Sequence, residues 1–173
     1  MTKRRSIFVT VGTTRFDRLI ESVTRPEALE WMTSNGYTDL MIQYGKGNQP
    51  VIPKTTKITV RSYSFQPSLD QDMRTADLII SHAGAGTVME ALKWKKRLVV
   101  VINTDLMDNH QKELAHAMAK RGHLFVVDTP TDLGNCTLWN EFNTFQPTPH
   151  QGGDPHDFPR LLNQHMGVLS EES

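Results

Sequence analysis

The sequence predicts an α/β fold: a parallel sheet with helices on both faces. Three observations predict it. Short runs such as Ile7–Val11, Asp77–Ile80, Leu98–Ile102 and Leu124–Val127 are apolar on both faces, as buried parallel strands are. Between the runs, apolar residues recur at helical spacing. Glycine-bearing turns follow the strands, at Gly12, at Gly45-Lys46-Gly47 and at Gly84-Ala85-Gly86. Strands that alternate with helices imply right-handed crossovers within one sheet.

The elements follow in order. After the Ile7–Val11 strand, Phe16, Leu19, Ile20 and Val23 mark one helical face. Pro26 interrupts that helix and starts another, because proline is tolerated at the first helical position. Ala28, Leu29 and Met32 continue the apolar face up to Gly36, a plausible stop. Leu40–Tyr44 is the second strand, and a turn-rich loop runs from Gly45 to Pro50. Alternation marks Lys57–Arg61 as the third strand, and a short helix lies around Leu69–Ala76. A helix over Thr87–Lys95 separates the Asp77–Ile80 strand from Leu98–Ile102. Asp108 then reads as an N-cap, with Gln111 three residues on, and the helix runs to Arg121 before Gly122. Leu124–Val127 is the last strand.

From Thr129 to Asp157 the periodicity disappears. Four of the nine prolines and three of the eleven glycines fall there, so the segment reads as a long loop or linker. Helical spacing resumes at Phe158, Leu161, Leu162, His165 and Met166. That apolar face either closes back on the domain or meets a partner. The expected organisation is therefore a sheet domain over 1–128, a linker over 129–157 and a C-terminal helix and tail over 158–173.

A chain of 173 residues is large enough for one domain with a real core. Its formal charge is zero but unevenly spread. Residues 1–121 hold 18 Lys and Arg against 12 Asp and Glu, and residues 122–173 hold one Arg against seven acids. The basic part suits an anionic ligand or an acidic membrane surface, and ordinary solvated charge explains clusters such as Lys93–Arg97 and Lys3–Arg5 equally well. No basic stripe interleaved with aromatic residues argues for nucleic acid. Cys136 is the single cysteine, which excludes an internal disulfide and a zinc-binding cysteine cluster. It falls in a polar loop and receives no catalytic role. No apolar stretch approaches the 18 residues of a membrane span, and the run after Lys3-Arg4-Arg5 is too short for a signal peptide. The expected location is cytosolic, with any membrane attachment borrowed from a partner or peripheral.

The segment Ser81–Glu90 carries the chemistry. Gly84 and Gly86 sit in a tight turn between a strand and a helix start. Glycine there admits unusual backbone angles and removes the Cβ that would block a ligand. A helix N-terminus offers unpaired N–H groups and partial positive charge, which suits a phosphate. Glu90, about one turn in, is placed to accept hydrogen bonds from ribose hydroxyls. Packing alone also produces such turns, and the helix dipole favours a glutamate in a first turn without any ligand. The segment is neither a Walker loop nor a complete Gly-x-Gly-x-x-Gly fingerprint. In a doubly wound, Rossmann-like sheet, ligands bind beyond the carboxyl ends of the strands at the switch point. Gly12–Thr14, His82–Gly86 and Asn103–Gln111 all follow strands and should gather there.

Three motifs stand together: Val9–Thr14, Ser81–Gly86 with Glu90, and Leu106–Gln111 before Leu114-Ala115. The set resembles the small catalytic subunits of the two-component UDP-N-acetylglucosamine transferases of eukaryotes. These are similar to the C-terminal, sugar-nucleotide-binding half of the bacterial lipid II-forming transferase, a GT-B enzyme of glycosyltransferase family 28. The resemblance covers residues 6–127. It implies that Gly12, Thr13 and Thr14 form the loop that approaches the diphosphate, and that Gly84, Ala85, Gly86 and Thr87 form the loop and helix start near the nucleotide. It makes Glu90 the ribose-binding acid, with Asn109, His110 and Gln111 near the donor sugar and His82 a further phosphate contact. Thr13 and Thr14 as caps of the first helix, Gln111 as a capping partner, His110 as a solvated side chain and His82 as a packing histidine are the structural alternatives. The chain departs from the bacterial loops, whose paired glycines are here Ala83-Gly84-Ala85-Gly86.

The implied reaction transfers N-acetylglucosamine from UDP-N-acetylglucosamine to dolichol-pyrophosphate-linked N-acetylglucosamine, with inversion and no essential metal or cofactor. The bacterial relatives keep the acceptor face and the base in their N-terminal half. The resemblance therefore implies a membrane-anchored partner that supplies both, recruits this chain to the cytosolic face of the endoplasmic reticulum and docks on the C-terminal helix. A non-catalytic UDP-sugar-binding regulatory module is the alternative reading. An epimerase would need both halves and further acid/base residues in one chain.

Overall fold

The structure is a computed structural model, and it describes residues 3–54, 56–103 and 109–148. Six parallel strands build one sheet: β1 (Ser6–Thr10), β2 (Asp39–Gln43), β3 (Thr59–Tyr63), β4 (Leu78–His82), β5 (Arg97–Val101) and β6 (Phe125–Val127). Their order is β3-β2-β1-β4-β5-β6. The order reverses between β1 and β4, which pair in register from Ile7 with Leu78 to Thr10 with Ser81. That crevice is the switch point of a doubly wound sheet.

The period-2 alternation of the strands sorts side chains into two cores. Ile7, Val9, Leu78, Ile80, Val99 and Val101 face one side. Helices α1 (Asp17–Val23) and α2 (Pro26–Ser34) cover it with Leu19, Ile20, Leu29 and Met32. Phe8, Ile79, Leu98 and Val100 face the other side, beneath α3 (Asp70–Thr75), α4 (Ala85–Lys93) and α5 (Asn109–Lys120). The α/β expectation holds, and each expected strand is present within two residues. Pro26 opens α2 at its first position and separates it from α1.

The linker expected over 129–157 requires correction. A 3₁₀ turn (Pro130–Gly134) and a helix α6 (Cys136–Thr144) occupy its first half. Leu133, Trp139 and Phe142 are fully buried in the first core. Trp139 stacks on Trp31 at 3.8 Å between centroids, and its indole N–H donates to the Leu133 carbonyl at 2.6 Å. Cys136 is thus the first residue of a helix, exposed, rather than part of a polar loop. The proposed helix over Phe158–Leu169, and Asp108 as an N-cap, lie outside the described residues.

Two of the arginines, Arg5 and Arg97, serve the fold. Arg5 donates to the Asn35 carbonyl at the end of α2 at 2.6 Å, and Arg97 donates to the Phe142 and Phe145 carbonyls at 3.0 and 3.2 Å. Cations satisfy the orphaned carbonyls of helix ends in this way. Among the described residues, no helix is long and apolar enough to cross a membrane.

Candidate functional site

The loops after β1 and β4 meet at the switch point. Gly12 has φ +62°, and a Cβ built on it would lie 3.1 Å from His82 Cε1 and 3.9 Å from Thr87 Oγ1. A Cβ on Gly84 would lie 2.7 Å from the same His82 carbon. The imidazole edge is therefore held between two glycine loops that a larger residue would force apart. Gly12, His82, Gly84 and Thr87, separated by up to 75 positions in sequence, form one constellation.

Helix α4 starts here. Gly84 is its N-cap, with φ −74° and ψ 126°, and no side chain caps it. The first N–H groups of a helix have no partner within it. Those of Ala85, Gly86 and Thr87 thus face the crevice with the positive end of the dipole. Nothing lies within 4 Å of a Cβ built on Gly86, so there is open space above the turn. Together these groups can bind an anion such as a diphosphate. Glu90 is exposed, in the second turn of α4, and its carboxylate has no partner among the described residues. The macrodipole acts within the first turn, so it does not account for Glu90.

Donors in the first loop are fewer than the sequence implies. The Gly12 N–H donates to Gln43 Oε1 at 2.9 Å. The Thr14 N–H and hydroxyl both donate to the Val11 carbonyl, at 3.2 and 2.8 Å. Thr13 is exposed, and neither its N–H nor its hydroxyl bonds to any of the described residues. Neither threonine caps α1, whose N-cap is Phe16 without a side-chain bond.

His82 is mostly buried, and burial holds its imidazole below the ordinary value. The Thr10 backbone offsets this in part, and Nδ1 is buried with no hydrogen-bond partner among the described residues. Burial thus favours the uncharged ring, which carries one N–H. Asn109, His110 and Gln111 form the first turn of α5, which follows β5 at the same edge of the sheet. Gln111 is half-buried, and the side chains of Asn109 and His110 lie outside the described residues.

Gln43 is the buried residue beside the site that sequence reading missed. It ends β2, is 1% exposed, and holds the Gly12 turn through its side-chain amide. A glutamine closing an apolar strand and followed by Gly45 was the available signal. Among the described residues, no group of three or more His, Cys, Asp or Glu is arranged to hold a metal ion.

Residues 6–139 match the Glycosyltransferase family 28 C-terminal domain. The human UDP-N-acetylglucosamine transferase subunit ALG13 is 50% identical over 122 residues, which cover 69% of this chain and 11% of that protein. The chain therefore spans a small fraction of its human relative. A solution structure of ALG13 is 25% identical, with a TM-score of 0.69, and the match covers 92% of this chain and 96% of that one. Acinetobacter baumannii MurG, 22% identical, aligns with a TM-score of 0.63 over 96% of this chain and 51% of its own length, a likeness of fold.

Proposed function

This chain belongs to the glycosyltransferase family 28 C-terminal domain family, and from that premise we propose that it is the donor-binding subunit of a UDP-N-acetylglucosamine transferase. The observation that carries the reading is the contact of Gly12, His82, Gly84 and Thr87 beneath the uncapped start of α4. The subunit name of the ALG13 relatives supports the donor and the need for a partner.

In this reading the diphosphate of UDP-N-acetylglucosamine lies over the N–H groups of Ala85–Thr87 and against Thr13. Glu90 accepts from the ribose hydroxyls, and the turn Asn109–Gln111 borders the sugar. The acceptor is N-acetylglucosamine linked to dolichol pyrophosphate. Its hydroxyl oxygen attacks the anomeric carbon from the face opposite the leaving group, which inverts the configuration. The bond from that carbon to the β-phosphate oxygen breaks, and UDP leaves with the electron pair. The α4 dipole and Thr13 then stabilise a charge that grows during the reaction. A base takes the acceptor proton, and no residue here is assigned that role. A membrane-anchored partner supplies the base and the acceptor site, and brings the chain to the cytosolic face of the endoplasmic reticulum.

The test is transfer of labelled N-acetylglucosamine to a dolichol-pyrophosphate acceptor by the purified chain, with and without a membrane partner. Activity that needs both proteins and is lost with Glu90→Ala is the expected result. Transfer by the partner alone, at a rate that this chain only modulates, would instead make this chain a regulator.

A further inference from the structure

We infer that Gln43 is a positioning residue for the donor diphosphate, a role that rests on the reading of the switch point as a UDP-sugar site. Gln43 lies behind the Gly12 turn, and every polar atom of its amide is engaged. Oε1 accepts from the Thr10 hydroxyl at 2.6 Å, the Gly12 N–H at 2.9 Å and the Val11 N–H at 3.2 Å. Nε2 donates to the Gly12 carbonyl at 2.7 Å and to the Ser64 carbonyl at 2.8 Å. One buried side chain thus joins the end of β1, the turn that follows it and the segment after β3.

The consequence for the site is directional. Both the N–H and the carbonyl of Gly12 are drawn toward Gln43, away from the crevice. With the Gly12 oxygen held back, no backbone carbonyl of that residue faces an incoming anion. Thr13, whose donors bond to none of the described residues, becomes the residue the turn presents. The Gly12 turn also sits against His82 and Thr87, so its orientation sets the wall facing the start of α4. Within the loop after β2, Gly45 packs on this same turn: a Cβ there would lie 2.9 Å from Val11 Cγ2 and 3.0 Å from the Gly12 carbonyl oxygen. The turn is thus held along its β2 side by both residues, and Gln43 is the one that bonds it.

The inference separates diphosphate binding from nucleoside binding. Gln43 acts on the loop that meets the phosphates and touches nothing near Glu90. Two variants of the full chain test it. Gln43→Met keeps the length and removes every bond. Gln43→Glu keeps an acceptor for Thr10, Val11 and Gly12 but cannot donate to both the Gly12 and the Ser64 carbonyl, since a carboxyl carries at most one O–H. UDP and uridine are titrated into each protein and followed by amide chemical shifts. The expected result is that UDP binds at least about tenfold more weakly to both variants, the scale of one misplaced hydrogen-bonding group, while uridine affinity stays within about twofold. Should Gln43→Met fail to fold, Gln43→Glu and Thr10→Val carry the same comparison. Unchanged UDP affinity in a folded variant overturns the inference and leaves the donor-site reading standing. An equal loss for UDP and uridine also overturns it, because that is the mark of general structural damage. A folded wild type that binds no UDP removes the donor-site reading, and the inference with it.

Discussion

Replacing Gly84 by alanine tests whether the switch-point contacts are as tight as the geometry requires. The backbone at Gly84, with φ −74° and ψ 126°, accepts alanine without strain. The obstacle is steric: the new Cβ would stand 2.7 Å from His82 Cε1 and 3.2 Å from Cδ2. To relieve the contact the mostly buried ring would have to shift from its place beside the Gly12 turn. Overpacking of this kind costs roughly 1–3 kcal/mol. Removing the ring removes the clash, so Gly84→Ala in a His82→Ala background should cost little. The two substitutions should therefore couple by about 0.5–3 kcal/mol, as contacting residues do. Urea denaturation of the wild type, both single variants and the double variant closes the cycle. Free energies that add to within about 0.3 kcal/mol would refute the contact, because that is the behaviour of independent sites.

Further outcomes follow from other parts of the molecule. Trp139→Ala should cost about 3–5 kcal/mol and lower Tm by roughly 6–20 °C for a chain of this size; a negligible shift in a thermal scan would mean that α6 is not part of the core. Thr13→Val should weaken UDP binding by about tenfold, the scale of one hydrogen bond to a charged group. Thr14→Val should instead show its main effect in urea denaturation, because its hydroxyl serves the Val11 carbonyl, and a reversed pattern in the two assays would contradict the donor assignment. His82 has a folded-state pKa below its ordinary value of 6.5. Its contribution is therefore complete above pH 6.5, and stability falls as the unfolded chain takes up a proton that the folded chain resists. The slope added by one such group is at most about 1.4 kcal/mol per pH unit, and His82→Gln should remove it in a pH series of urea melts. An unchanged slope would show that the ring is not protected.

The sheet was legible because each strand is buried on both faces. Ile79-Ile80 and Val99-Val100-Val101 feed both cores at once, so the run itself is the signal. The site loops were legible because glycine and threonine stand where a strand must turn into a helix. The start at Pro130 and helix α6 were hidden for a physical reason. The buried face of α6 is only Trp139 and Phe142 within a polar stretch, and its stability comes from Trp31, more than a hundred residues away. No local period reports such a contact. Gln43 was hidden likewise, since its partners are on β1 and beyond β3. The Gly12–Thr14 segment offers fewer donors than its sequence suggests, because Gln43 on β2 takes the Gly12 N–H and the Val11 carbonyl takes both donors of Thr14. Glu90 carried more information than its motif showed: its place in the second turn, exposed and without a partner among the described residues, removes the dipole as an explanation.

Calorimetric titration of the purified chain with UDP-N-acetylglucosamine, comparing wild type with Glu90→Ala, tests the donor site most directly. Saturable binding by the wild type is the expected result. Loss of a carboxylate that accepts from ribose hydroxyls should weaken it by roughly 10- to 150-fold, the equivalent of about 1.5–3 kcal/mol for hydrogen bonds to a charged group. Equal affinity for the two proteins, or no binding by a folded wild type, would contradict the donor-site reading.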